Sequence, residues 1–387
     1  MQLRLTRTAA AAVRRGHPWV YREGLARPPE RLDTGASVEL ADDAGAFLAR
    51  GLYDAASPIA VRVFDHAPGP ALDAAALGAR VLRAVARRDG RFGEDTTAYR
   101  LCNGEGDRVP GLVIDRYADV AVLRLDTDAW RPHLAGVAAA LSAPLAARGV
   151  TAIGLRVGGD GKKLDALAGR TPPDRVLVRE HGMAMEVDLA HGQKTGAFLD
   201  QRENRARVRA LSAGRRRALN LFSYTGGFSI AAALGGAAHV TSVDIAAAAH
   251  ATAQRTFRAN GVDPGAHAFV SADAFAFLEQ ARARGDRFDL VVSDPPSFAP
   301  SERARARALG AYRKLHAAAA AVLAEGGVLC AASCSSHVTA EDFAGTLDDA
   351  AVGRGDLRLC ELFGQPEDHP TLPAWPEGRY LKLAILS

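Results

Sequence analysis

Lysine is nearly missing from this chain: five residues stand against 43 arginines in a sequence of 387. Cysteine is scarce as well. Cys102, Cys330, Cys334 and Cys360 show no C-x-x-C spacing, so neither a disulfide-dense secreted scaffold nor a zinc site is expected, and a reducing compartment is. No apolar run approaches the roughly 20 residues that cross a bilayer. The arginines of MQLRLTRTAAAAVRRGHPWV also break any signal-peptide core. The expected location is therefore cytoplasmic, with no membrane partner. Internal repeats and low-complexity tails are absent. Charge of one sign is lacking too: 48 basic residues face 44 acidic ones, a formal +4, so the whole-chain field says little about a nucleic-acid partner. Its distribution says more. Arg4, Arg7, Arg14, Arg15, Arg22, Arg27 and Arg31 oppose only Glu23 and Glu30, and RARVRALSAGRRR adds a second cluster. Each cluster reads either as a nucleic-acid contact or as the solvated face of an arginine-rich protein.

A chain of this length is expected to hold two or three domains. SVELAD, AFLARGLYD and IAVRVF alternate apolar and polar residues around the turn DDAG, which predicts a small β-rich module between Ser37 and Phe64. DHAPGPALDAAALG reads as a linker, followed by a helix through about Arg88. Strands around glycine turns in YRLCNGEGDRVPGLVIDRYADVAVLRLD, a helix over 131–148, and the strands TAIGLRVG and VLVREHGMAMEVDL make a compact α+β module. After Ser212 the pattern becomes strand, turn, helix, repeated: RALNLF, SYTGG, FSIAAALGGA, then HVTSVD, HAFVSAD and FDLVVSD with helices between them. That alternation predicts an α/β, doubly wound, mainly parallel sheet whose ligands lie beyond the carboxyl ends of the strands.

The chemically conspicuous residues sit at those ends. The glycine pair of NLFSYTGGFSI lets a ligand approach the backbone at a helix N-terminus. Asp244 closes the next strand, where a carboxylate can accept from both ribose hydroxyls of an adenosine ligand. Adjacent Gly226 and Gly227 do not make the G-x-G-x-x-G of a pyrophosphate cradle. Asp273 ends another strand, within reach of an adenine amino group, and Asp294 ends a third in VVSDPPSF. Singly, each aspartate also reads as a helix N-cap. Together they point to adenosine joined to something other than a phosphate, which is S-adenosylmethionine.

Two cysteines share GVLCAASCSSHV. Cys330 reads as a small buried hydrophobe, whereas Cys334 lies in a polar strand end where a thiolate could add to a ring carbon. In HGQKTGAFLDQRENR, Lys194 occupies a turn-like G-Q-K-T-G that reads either as a functional loop or as a hairpin with Thr195 capping it.

RGHPWVY, LCNGEGDRVPGLVIDRY, HGQKTGAFLDQREN, NLFSYTGGFS, SDPPSF, SCSSH and DHPTLPAWPEGRYLK, in that order along the whole chain, resemble the bacterial class I ribosomal RNA large-subunit methyltransferase I family. The resemblance implies 5-methylcytosine formation in 23S ribosomal RNA with S-adenosyl-L-methionine as cofactor. It also implies a PUA-like RNA-binding domain over 1–68, a central α+β domain over 72–185, and a Rossmann-like methyltransferase domain over 186–387. By motif, the cofactor residues fall on Gln193, Lys194, Thr195, Asp200, Arg202, Phe222, Ser223, Tyr224, Thr225, Gly226, Asp244, Asp273 and Asp294. Cys334 and Asp294 become the catalytic pair, while Pro295, Pro296 and Phe298 face the substrate. RNA is the expected partner, with a homodimer as the expected self-association. One departure stands out. Many RNA cytosine-5 enzymes carry a second cysteine after the motif proline, where this chain has Pro296, Ser297 and Phe298. The rival readings are an amino-group methyltransferase, which needs no cysteine, and a non-catalytic RNA-binding protein.

Overall fold

The computed structural model describes residues 1–157 and 164–387; Gly158, the last residue of the expected TAIGLRVG strand, lies outside them. The chain divides into two compact units. One comprises Met1–Arg179, Val187–Leu199 and Glu367–Gly378, the other Glu180–Glu186, Asp200–Pro366 and Arg379–Ser387.

The first unit opens with β1 (Gln2–Arg4), α1 (Arg7–Arg14), β2 (Trp19–Tyr21), β3 (Ser37–Ala41), β4 (Phe47–Tyr53) and β5 (Ile59–Asp65), in a sheet of order β1-β3-β4-β5-β2. The predicted strands β3 to β5 alternate because Val38, Leu40, Val61 and Val63 bury one face against Leu3, Leu5 and Val13. β1 and β2 were not expected, since three-residue strands leave no alternation to read.

Next come α2 (Ala74–Ala86), β6 (Ala98–Asn103), β7 (Leu112–Tyr117), β8 (Val120–Leu125), α3 (Leu134–Ala146), β9 (Ala152–Arg156) and β10 (Leu164–Gly169), with sheet order β10-β9-β8-β7-β6. Asp73 caps α2 by accepting from Ala76 N at 2.8 Å. The helix buries Leu77, Val81, Ala84 and Val85 on one face, which turns Arg83 and Arg87 outward. The late segment Glu367–Gly378 is stitched into this unit. Arg88 donates to both Asp107 oxygens at 2.8 Å and to Asp368 O at 2.6 Å. Asp368 accepts from Arg100 N at 2.8 Å, and a Cβ on Gly106 would stand only 1.7 Å from Pro370 O. β11 (Arg175–Glu180) and β12 (Met183–Asp188) form a separate two-stranded sheet.

The second unit contains α4 (Arg202–Leu211), β13 (Arg217–Leu221), α5 (Gly227–Leu234), β14 (His239–Asp244), α6 (Ala247–Ala259), β15 (Ala268–Ser271), α7 (Ala274–Arg284), β16 (Phe288–Ser293), α8 (Arg305–Ala321), β17 (Leu323–Ser333), α9 (Ala340–Gly345), α10 (Asp348–Gly353), β18 (Leu359–Phe363) and β19 (Lys382–Leu386). Its sheet runs β15-β14-β13-β16-β17-β19-β18. The first five strands are mutually parallel, as expected, and β19 lies antiparallel to β17 and β18. Helices cover both faces: Leu219, Val291 and Leu329 feed one core, Ala218, Leu290 and Cys330 the other. Strand order reverses at β13, between β14 and β16, and ligands of such sheets bind beyond that switch point. Among the described residues, no helix is long and apolar enough to cross a membrane.

Candidate active site

The turn after β13 is held in a conformation that side chains rarely adopt. Phe222 has φ +56°, Tyr224 +46° and Gly226 +79°. Lys194, at φ +54°, is another of the six described non-glycine residues with positive φ, so three of the six are residues expected to contact the cofactor. Strain of this kind persists only where surrounding bonds over-determine it. Here Ser223 N donates to Val243 O at 3.0 Å, Gly226 N to Ser223 O at 2.8 Å, and Tyr224 N to Asp244 Oδ2 at 2.7 Å. Asp244 Oδ1 accepts from Ala246 N at 2.8 Å, so two backbone donors orient the carboxylate. Beneath the turn, Asn220 and Ser242 both donate to Ser229 Oγ, at 2.9 and 2.7 Å, tying α5 to β13 and β14. Ser223 Oγ is buried without a partner, and Thr225 is half-buried. A Cβ on Gly226 would meet Ala253 Cβ at 2.7 Å, so only glycine fits.

Asp294 follows β16 and is half-buried. Gln201 Nε2 donates to its Oδ2 at 3.0 Å, and Asn204 Nδ2 donates to Gln201 Oε1 at 2.6 Å. Asp200 accepts from Tyr380 Oη at 2.7 Å. Arg202 is wholly buried and donates to Glu203 at 2.9 Å. His181, 3.1 Å from Glu203, and then Arg202 hold the Glu203 carboxyl down to about 2, against the opposing effect of burial. Neither Gln201 nor Asn204 was singled out from the sequence. The only signal was their place beside Asp200 in LDQREN.

Cys334 lies one residue past the end of β17 and is half-buried, unlike Cys330, whose thiol burial pushes up to about 12. β16 and β17 are parallel neighbours, so Asp294 and Cys334 leave the sheet at the same edge. Below them Tyr312 Oη lies 2.9 Å from Ser333 Oγ and 3.0 Å from Ser335 Oγ, and Ser335 Oγ is 3.1 Å from Ser297 Oγ. Burial raises the Tyr312 hydroxyl, with further upward pressure from Cys334 and Asp294, despite its serine partners. Pro295 is buried and Pro296 exposed. Phe298 packs on Tyr312, ring centroids 4.9 Å apart, at the margin of the core.

Other expected site residues are engaged locally. Asp273 caps α7, accepting from Ala276 N at 3.0 Å, and remains exposed. Gln193, Lys194 and Thr195 belong to the first unit. Gly196 N closes their turn onto Gln193 O at 2.8 Å, and Lys194 Nζ sits 4.6 Å from the Phe198 ring centroid. Thr195 does not cap the hairpin: it is buried and bonded to Asp115 and Tyr117. The RARVRALSAGRRR cluster is largely committed to the fold. Arg205 forms a buried bidentate pair with Glu180 at 2.8 and 2.7 Å, and Arg209, Arg215 and Arg217 bond His181 O, Leu211 O and Asp286.

Residues 160–378 match the model of an S-adenosylmethionine-dependent methyltransferase family, and residues 3–66 that of a PUA-like domain. A ribosomal RNA large subunit methyltransferase of Deinococcus radiodurans is 41% identical over 406 residues, covering 100% of this chain and 97% of the relative. The ribosomal RNA large subunit methyltransferase I of Shigella boydii is 36% identical over 389 residues, covering 99% and 98%. A Streptococcus mutans protein assigned as a SAM-dependent methyltransferase superposes with TM-score 0.86 at 27% identity. One assigned as a methyltransferase and solved with SAH gives 0.88 at 26%. Each structure covers 100% of this chain and 99% of its own.

Proposed function

The chain belongs to the S-adenosylmethionine-dependent methyltransferase family, joined to an N-terminal PUA-like domain, and from that premise we propose that it forms 5-methylcytosine in 23S ribosomal RNA through a transient Cys334–C6 bond. The observation that carries this reading is the emergence of Asp294 and Cys334 from neighbouring parallel strands at one edge of the sheet. An amino-group methyltransferase has use for the first and none for the second.

The residues present fit the cofactor. The unpartnered Ser223 hydroxyl, the glycine at 226 and the oriented Asp244 carboxylate line the turn. Ile245, 80% exposed directly after Asp244, offers an apolar surface to an adenine ring. When bound, the cofactor supplies a methyl group on a positively charged sulfur. Cytosine C5 is a weak nucleophile. Addition of the Cys334 thiolate to C6 makes C5 an enamine carbon, to which the methyl group would pass as its bond to sulfur breaks and a neutral thioether is left, and Asp294 near N3 and the exocyclic amine stabilises the protonated ring. Loss of the C5 proton to a base then expels the thiolate and restores the C5–C6 double bond. Both faces of the base must be reached, so the cytosine leaves its stack at a cost of a few kcal/mol.

An RNA partner is also supported by the first unit. A cavity of about 420 Å3 is lined by Arg80, Arg83, Arg87, Arg108 and Asp107. Arg88 satisfies Asp107 from below and Arg80 pairs with Asp65; the exposed Arg83 and Arg108 are left to meet phosphate, together with Arg87, whose carboxylate contact is a longer one to Asp107 at 3.4 Å.

Cys334→Ala, assayed for methyl transfer to naked 23S RNA with cofactor binding checked by calorimetry, tests the reading. We expect binding kept and methylation lost. Retained methylation would sink the covalent mechanism, and mass mapping of the product identifies the base.

A further inference from the structure

Lys382 is one of the five lysines of the chain, and it is 2% exposed in the interior of the second unit. On β19 it pairs across the sheet with Ser333, the residue before Cys334. Its Nζ donates to Ser335 O, the residue after Cys334, at 2.6 Å, and to Val338 O at 2.7 Å. The backbone of Lys382 thus lies beside the residue before the cysteine and its ammonium beside the carbonyl of the residue after it. No carboxylate lies within ion-pair distance of this ammonium among the described residues. Asp342, the acid nearest in influence, is taken by Arg305 at 2.7 and 2.8 Å. A buried ammonium with only carbonyl acceptors is costly to keep, and two carbonyls could equally be bonded by a neutral amide.

We propose that Lys382 is a positioning residue whose buried positive charge stabilises the thiolate of Cys334. This rests on the reading of Cys334 as the nucleophile. Of the neighbouring groups, Tyr312 on α8, already raised by burial, is pushed up further by both Cys334 and Asp294, so it and the Asp294 carboxylate after β16 oppose a negative charge on the sulfur, while Lys382 on β19, pushed up by Cys334, favours it. His337, in the same loop, faces Glu302 at 3.4 Å. The coupling is reciprocal. Burial lowers the Lys382 amine to about 8, while Cys334 and, less, Asp342 push it back up. The effect on cysteine follows from an opposite charge at close range, which shifts such groups by about one unit or more.

The test is the pH dependence of iodoacetamide alkylation, read peptide by peptide in the unmutated protein, Lys382→Met and Lys382→Gln. Exposed Cys360 is an internal control, and buried Cys102 and Cys330 report unfolding. We expect the Cys334 curve to move up by about one pH unit in both variants, about tenfold slower reaction at pH 7, with Cys360 unchanged. Lys382→Gln keeps a donor for the carbonyls but no charge, so an unmoved curve in either folded variant overturns the proposal. Should neither fold, the reciprocal measurement decides on the unmutated protein. Capping Cys334 with a neutral carbamidomethyl group must lower the Lys382 amine titration followed by NMR, and no change overturns the proposal. Alkylation does not depend on methyl transfer, so a shifted curve alongside an active Cys334→Ala would remove the covalent mechanism and leave this electrostatic pairing intact.

Discussion

Gln201 and Asp294, 93 residues apart, share a hydrogen bond of 3.0 Å from Nε2 to Oδ2. The amide orientation is decided by its other end. Asn204 donates to Gln201 Oε1 at 2.6 Å, so the nitrogen is left to face the carboxylate. The residue capping α4, held by Asn204 in its first turn, therefore aims the acid that β16 delivers, and the prolines after it limit its backbone freedom.

Gln201→Leu keeps the volume and removes the donor. Asp294 then loses an orienting bond and Asn204 an acceptor, so the acid is less well placed for the ring it must polarise. Single-turnover methyl transfer is expected to fall about tenfold, equivalent to about 1.4 kcal/mol of barrier, with cofactor affinity within about twofold. An unchanged rate would mean that Asp294 needs no such support.

Gly226→Ala attacks the turn itself. Its φ of +79° and the 2.7 Å approach to Ala253 make any Cβ both strained and crowded. About 1–3 kcal/mol of stability should be lost, read from thermal unfolding. Cofactor affinity measured by calorimetry should fall further than in a destabilised variant remote from the turn, such as Leu141→Ala.

The sheet was legible because buried strands and the helices between them leave alternating patterns over six to ten letters. The strand-end acids were legible because each such strand meets an aspartate at or within two residues of its end: Asp244 ends β14, Asp294 follows β16, and Asp273 lies two past β15. Cys330 and Cys334 look equivalent by period-two counting, but the polar SCSSH separated them, and β17 does end at Ser333. The role of Thr195 was not legible: it depends on Asp115 and Tyr117, about 80 positions away, and such pairing leaves no periodicity. The arginine cluster after residue 204 misled in the opposite direction. Local density of charge says nothing of the carboxylate and carbonyl acceptors that β11, its following turn and Asp286 bring to it.

The His181–Glu203 pair beside Arg202 makes stability depend on pH from two sides. Glu203, lowered from 4.5 to about 2, contributes above 4.5 and loses that contribution as pH falls toward 2. His181 is raised above 6.5 by Glu203, so its share is complete below 6.5 and fades as pH rises through the raised value. The pair is therefore strongest between about pH 4.5 and 6.5. With side chains 41% and 33% exposed, solvent screening holds it to roughly 0.5 kcal/mol. His181→Ala should lower the urea unfolding free energy by that amount at pH 5.5 and by less at pH 8.5. A larger loss at the higher pH would reverse the assignment.

The arginine-lined cavity beside α2 makes a prediction about salt rather than affinity alone. Replacing Arg83, Arg87 and Arg108 together by alanine removes three exposed guanidinium groups from the lining and leaves the buried Arg88–Asp107 pair in place. If each meets one phosphate, the slope of log binding constant against log salt should become shallower by about 2–3, at roughly 0.7–0.9 per phosphate. Filter binding of 23S RNA fragments between about 50 and 200 mM salt measures it. Cofactor affinity serves as the control. A weaker complex with an unchanged slope would show that these arginines shape the protein without neutralising the backbone, and an unchanged complex would remove the cavity from the RNA path.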